Sequence, residues 1–207
     1  MLSGGVASAR TIYVPDDYAK IQWAVDNASD GDTIIVRDGI YYENVDVHKR
    51  LTIKSENRSA NCIVQAANSD DHVFWIAADY VNISGFTIKG TDFSGVFIYY
   101  SNNVVVENNL IFENGRGITL FYSDYNLLSN NTISNCYTDI YMREGADYNR
   151  IENNILKNAS DGIDFDWWCN HNTIVFNTIA FNDFRGIDLS TSCKYNLIYM
   201  NISSTTP

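Results

Sequence analysis

Five segments of this chain start alike and keep one internal layout: Gly95 to Ile98 (GVFI), Gly117 to Leu120 (GITL), Asp139 to Met142 (DIYM), Gly162 to Phe165 (GIDF) and Gly186 to Leu189 (GIDL). Their starts lie 22, 22, 23 and 24 residues apart. An Asn recurs later in each segment, at Asn109, Asn131, Asn154, Asn177 and Asn201, and a second series runs through Asn126, Asn149, Asn172 and Asn196. Such a period is that of a solenoid, because a segment this short cannot close a core alone and must stack on copies of itself.

Within each segment the apolar residues alternate, so the repeating element is a strand with one inward and one outward face. The first strand carries Val96 and Ile98, Ile118 and Leu120, Ile140 and Met142, Ile163 and Phe165, and Ile187 and Leu189. A second carries Val104 and Val106, Leu128, Ile151, Ile174 and Ile198, and a third Ile111, Ile133, Leu156 and Ile179. Three short strands per coil make an all-β chain, a parallel β-helix of about seven coils. At roughly 4.8 Å per coil the rod is on the order of 35 Å long. An inward Asn at a sharp bend tolerates left-handed backbone and can hydrogen-bond its counterpart on the next coil. The column Asn109, Asn131, Asn154, Asn177 and Asn201 is therefore expected to be a structural ladder, since a ligand would not need the same residue in every coil.

The β-helix is expected over residues 33–202, with His72 to Ile88 as a degenerate coil in which His72 takes the place of the starting Gly. Residues 10–32 read as an N-terminal cap, whose helix from Tyr18 to Ala28 sets Ile21, Ala24, Val25 and Ala28 on one face and covers the end of the core. Residues 1–9 end in Ala7, Ser8 and Ala9 and read as a signal-peptide remnant, and residues 203–207 as the start of a Ser/Thr/Pro linker. An uncovered last coil would be a template for end-to-end self-association.

A net charge of −11 and the lack of any basic stripe argue against nucleic acid and anionic membrane surfaces, and no apolar run is long enough to insert into a membrane. Sequons at Asn27, Asn57, Asn82, Asn130, Asn158 and Asn201 are compatible with a glycosylated surface protein. Cys169 and Cys193 share an offset in adjacent coils, so they are expected to stack within disulfide reach. His48, His72 and His171 fall in different registers and suggest no shared metal site.

The opening stretches Ile12 to Tyr18 (IYVPDDY), Ile21 to Ala28 (IQWAVDNA) and Asp30 to Val36 (DGDTIIV), then Gly39 with Tyr42 to Val45 (YENV), resemble the start of pectin-lyase-like right-handed parallel β-helix proteins. Leu51 to Asn57 and Ala78 to Ile88 continue the likeness. The later coils are similar to the repeats of the carbohydrate-binding and sugar-hydrolysis domain and of the NosD-like periplasmic family. The resemblance implies export to the cell surface, the exterior or the periplasm, and contact with polysaccharide. It carries over no catalytic residues, because Asn-Thr-Asp, Gly-His-Gly and Arg-Ile-Lys, the marks of the polygalacturonase branch, are missing.

Chemistry on a solenoid is expected on an outward strand face. Outward positions of the first strand are Phe97 and Tyr99, Thr119 and Phe121, Tyr141 and Arg143, Asp164 and Asp166, Asp188 and Ser190, with Tyr100, Tyr122 and Trp167 following. Phe97, Tyr99, Phe121, Tyr122, Tyr141 and Trp167 are the candidates for stacking on sugar rings. Asp164, Asp166 and Asp188 lie close enough to repel, which a raised pKa, a bound calcium ion or Arg143 would relieve. The same four residues are the candidate catalytic group: an acid and base pair in a glycoside hydrolase, or calcium with Arg143 as base, as the resemblance to pectate lyases implies. An ordinary Arg143–Asp166 surface pair is the simpler reading. Three functions follow: a secreted or cell-surface carbohydrate-interacting module without catalysis, which is preferred; a calcium-dependent polysaccharide lyase or glycoside hydrolase; and a structural spacer or self-assembling envelope unit.

Overall fold

The computed structural model describes residues 8–204; the leader expectation for 1–9 and the linker expectation for 203–207 fall largely outside them. The chain winds through three parallel sheets in rotation. Sheet A holds nine strands, from Thr11–Val14 through Asn82–Ser84 and Leu127–Ser129 to Leu197–Tyr199. Sheet B holds eight, from Gly39–Tyr42 to Ile202–Ser204, and sheet C seven, from Val45–Val47 to Arg185–Leu189. That makes about eight turns rather than seven. The additional turn comes from both ends: Thr11–Val14 already pairs with Thr33–Val36 inside the expected cap, and Ile202–Ser204 still pairs with Thr178–Ala180 where a linker was expected.

Identical side chains stack because the register of every strand pair is in phase. Ile34, Ile53, Ile83, Val106, Leu128, Ile151 and Ile174 form one column in sheet A, and Val96, Ile118, Ile140 and Ile163 one in sheet C. All are fully buried. Each such side chain contributes about 1.5–3 kcal/mol, and the stack shares one core from end to end.

The corners carry the Asn ladders, with a difference from expectation. In the first column the Oδ1 of Asn131 accepts from the Asn109 N–H at 3.0 Å, Asn154 from Asn131 at 2.9 Å, Asn177 from Asn154 at 2.9 Å and Asn201 from Asn177 at 2.9 Å. The second column, Asn126, Asn149, Asn172 and Asn196, is a ladder of the same kind. Left-handed backbone belongs to the residue before each ladder Asn: Asn108, Asn130, Asn153, Phe176 and Met200 have φ between 53° and 58°. A left-handed Phe or Met costs about 1–2 kcal/mol, and the buried amide bonds beside it hold it there.

The helix is shorter than expected, Ile21–Asn27, and its N-terminus is capped from the next coil. The Glu43 carboxylate accepts from Ile21 N–H at 2.9 Å and Gln22 N–H at 3.0 Å, while Lys20 offers no side-chain cap. Ile21, Ala24 and Val25 then close the end of the core. His72 falls one place earlier than expected: Val73 aligns with Gly95, and His72 Nδ1 accepts from Ser94 N–H while its ring stacks on Phe97 at 4.3 Å.

One coil departs from the starting Gly. Asp139 takes the place of Gly117 and Gly162, is fully buried, and neither carboxylate oxygen meets a donor in good geometry. Burial pushes its pKa up to about 9, the Lys157 backbone N–H only partly opposing.

Candidate functional site

Sheet C offers the longest strands, six residues each over most of its length, and hence the broadest outward surface. Its registers stack Trp75, Phe97, Thr119, Tyr141, Asp164 and Asp188 in one outward column and Tyr99, Phe121, Arg143 and Asp166 in the next. A third holds Ser94, Arg116, Thr138, Asp161 and Arg185, the aligned starts of the strands. Along the rod the face therefore changes from aromatic to cationic to acidic.

In the aromatic part, Tyr99 stacks on Phe121 at 5.6 Å and leans against Phe97 at the same distance, and Tyr100 stacks on Tyr122 at 4.7 Å. Phe97, Tyr99 and Phe121 are half-buried in this cluster, whereas Tyr100 and Tyr122 are 57% and 42% exposed. Trp167 is open as well. Two expected outward positions are closed. Thr119 is buried and hydrogen-bonds Ser94 at 2.8 Å, and Tyr141 is covered by the Arg116 guanidinium at 4.6 Å from its ring. Tyr141 donates its hydroxyl to Asp166 at 3.2 Å, so it cannot offer a ring face to a ligand.

The cationic part departs from the simple pair. Arg143 sits beside Asp166 in register, yet its guanidinium pairs with Glu144 at 3.2 Å and lies over Trp167 at 4.7 Å and Phe121 at 5.4 Å. The Tyr141 hydroxyl donates to the same Asp166 carboxylate. The Nε atoms of Arg116 and Arg143 are buried without partners.

At the acidic end Asp164 and Asp188 stand opposite each other on adjacent strands, as expected. Asp188 turns to Arg185, which also binds Asp161 at 2.7 Å. The Asp164 carboxyl is held above the usual range, first by burial and then by Asp188, Asp161 and Asp166, against the opposing Arg185. Among the described residues no three His, Cys, Asp or Glu side chains converge on a point that would hold a metal ion. The three aspartates share a face, with Asp188 paired to Arg185 and Asp166 accepting from Tyr141.

A second outward feature escaped the sequence reading. Tyr125, Tyr148, His171 and Tyr195 stack face to face at 5.0, 4.8 and 5.0 Å on the corner between sheets C and A. Just before them, Asp79, Asn102, Asp124, Asp147 and Asn170 form an outer ladder in which each side chain accepts the backbone N–H of the next coil, at 2.6–2.8 Å. The signal was present: each ring directly precedes an Asn of the second series. Cys169 and Cys193 lie in neighbouring coils as free thiols; Cys193 contacts the Phe165 carbonyl and Ser190, and Cys169 the Asp166 carbonyl.

The family model described as periplasmic copper-binding protein (NosD) matches residues 25–203. A cell surface glycoprotein of Methanothermus fervidus is 35% identical over 109 residues, which is 52% of this chain but 18% of that protein. Among solved structures, an alginate lyase from Paenibacillus sp. superposes with a TM-score of 0.79 at 20% identity, over 94% of this chain and 76% of that one. A pectate lyase follows at 0.69 and 14%, over 93% and 58%, and an Aspergillus niger pectin methylesterase at 0.64 and 10%, over 96% and 86%. At such identities these likenesses show the fold alone, a pectin-lyase-like parallel β-helix. Among the described residues no group of three His, Cys, Asp or Glu side chains offers a donor set for the copper named in the family description. His48 packs against Trp75, His72 against Phe97 and His171 between two tyrosines, and burial pushes the thiols of Cys62, Cys136 and Cys169 up to about 12, which keeps them protonated.

Proposed function

This chain belongs to the periplasmic copper-binding protein (NosD) family, and from that premise and the surface of sheet C we propose that it is a carbohydrate-interacting β-helix module working outside the cytoplasm. The observation that carries this reading is the run of rings on one face, Phe97, Tyr99, Tyr100, Phe121, Tyr122 and Trp167, continued by Arg116 and Arg143 and ending in carboxylates. Rings stack on the C–H patches of sugars, and the polar groups beside them hydrogen-bond hydroxyls. Relatives of matching shape act on polysaccharides by their names, and the M. fervidus relative is a surface protein by its name. No helix among the described residues is long and apolar enough to cross a membrane. A panel of neutral and acidic polysaccharides, titrated with and without calcium, tests the reading. Affinity for at least one, weakened by Tyr122→Ala and Trp167→Ala, is the expected result; no affinity across the panel refutes it.

Asp164 favours a second reading. A half-buried carboxyl whose pKa is raised by burial, standing opposite a second carboxyl in register, is the arrangement of a general acid. Release of new reducing ends, or of unsaturated uronate, abolished by Asp164→Asn, would make the protein an enzyme. No product from any polymer that binds leaves it a binding module.

A further inference from the structure

The six Asn-x-Ser/Thr sequons are not equivalent once the chain is folded. Asn201 is the last rung of an inner ladder: its Oδ1 accepts from the Asn177 N–H at 2.9 Å, and its Nδ2 donates to the Ile174 carbonyl at 2.9 Å and the Tyr199 carbonyl at 3.1 Å. Asn27 has its Nδ2 tied to the Trp23 carbonyl at 2.8 Å within the capping helix. Asn82 lies in a sheet A strand, and its Oδ1 is buried. At Asn201 and Asn27 a sugar on Nδ2 would have to displace a hydrogen bond, and at Asn82 the sequon is held in a strand paired on both sides, with Thr52–Ser55 and Val105–Glu107, so its backbone is not free to bend round a transferase.

Asn130 and Asn158 are placed the opposite way. Each is exposed and left-handed, with φ of 55° and 58°, and among the described residues neither carboxamide makes a hydrogen bond. Asn130 stands at the corner between sheets A and B, next to the ladder residue Asn131, and Asn158 at the corner between sheets B and C. The same turn that buries the ladder Asn points its predecessor outward. Asn57 is exposed too, in the loop between Thr52–Ser55 and Cys62–Gln65, with a long contact of 3.3 Å to the exposed Asp38.

We propose that the folded rod is an acceptor for N-linked glycans at Asn57, Asn130 and Asn158, and that Asn27, Asn82 and Asn201 stay bare. The donor is an oligosaccharide on a polyprenyl diphosphate. Asn Nδ2 attacks the anomeric carbon and the Nδ2–C1 bond forms. The C1–O bond to phosphate breaks, polyprenyl diphosphate leaves with the electron pair, and one amide proton passes to a base of the transferase. Asn130 and Asn57 lie off the outward face of sheet C, so sugars there leave that face open.

The full chain, co-expressed with an oligosaccharyltransferase and its polyprenyl-linked donor, provides the test by peptide mass spectrometry. Expected are the glycan mass on the peptides of Asn57, Asn130 and Asn158, and none on those of Asn27, Asn82 and Asn201. Thr132→Ala and Ser160→Ala should each remove one glycan while the carboxamide and the fold remain, with thermal unfolding checking the fold. Glycan on Asn82 or Asn201 of the folded protein, or bare Asn130 and Asn158, overturns the proposal. Polysaccharide binding by sheet C is measured separately on unglycosylated protein, so neither result decides the other.

Discussion

Replacing Asp139 by Asn should remove a pH dependence of stability that the fold carries at its centre. In the folded chain this carboxyl is fully buried and ionises near pH 9, against an ordinary value of 3.8. Between those values the unfolded chain releases a proton that the folded chain keeps, so rising pH favours unfolding. The contribution is fully present below about pH 4 and is lost progressively up to about pH 9. Each pH unit inside that window costs about 1.4 kcal/mol, and the loss by pH 7 is on the order of 4 kcal/mol. That is a large share of the roughly 5–15 kcal/mol typical of a domain. The Asn variant keeps the shape and loses the titration. Urea unfolding at fixed ionic strength, from about pH 4.5 to about pH 8.5, measures both proteins. Asp46, Asp124 and Asp164, all raised by burial, and Asp32, lowered by the Arg10 and Ser29 N–H groups, bend both curves alike and cancel in the difference. The gap between variant and parent should therefore widen with pH at close to the stated slope. Parallel curves would refute the burial argument.

Asn154 accepts from the Asn131 N–H and donates to the Leu128 carbonyl; Asn154→Ala leaves both unpaired in the core and should cost about 2–5 kcal/mol by chemical unfolding. Glu43→Gln removes the charge that caps the helix and should cost about 1 kcal/mol, with faster hydrogen exchange at Ile21 and Gln22 as the local readout. Tyr122→Ala and Trp167→Ala should each weaken polysaccharide binding about tenfold, by loss of roughly 1.4 kcal/mol of stacking, while Phe176→Ala, exposed on another face, leaves it unchanged in the same titration. Thiol reagent added to native protein should label Cys193 first, because the other three cysteines are buried and protonated; equal rates at all four would contradict this.

Strand positions and the inward columns were legible in the sequence because both follow from side-chain alternation and a fixed period, which survive any change of outward residue. The Asn columns were legible for the same reason, but the location of the left-handed residue was not. An Asn is suited both to that backbone and to the ladder bond, and only Phe176 and Met200, which lack an amide, reveal that the two roles belong to adjacent residues. The site was read less well. Outwardness of Tyr141 follows from alternation, yet its closure depends on Arg116, one coil away and three residues earlier in the strand. Likewise register sets Arg143 beside Asp166, whereas its guanidinium turns to Glu144 and Trp167. Such outcomes depend on rotamers across coils, and spacing alone holds no record of them.

The corner between sheets C and A explains why the outward face is free to vary at all. In the run Asp124, Tyr125, Asn126, the first side chain accepts the N–H of Asp147 on the following coil, while the N–H of the third donates to Asn149 on that same coil. Asn126 also accepts from Val104 on the preceding coil, and Tyr125 stacks on Tyr148. Three consecutive residues thus tie each coil to both neighbours without using the strands of sheet C. Sheet C is held by its inward apolar side chains, so its outward positions can pass from rings to guanidinium groups to carboxylates along one rod. A solenoid whose coils are fixed by corner polar bonds can change what its face presents coil by coil, and the aromatic to acidic gradient on this chain is the form that such freedom takes.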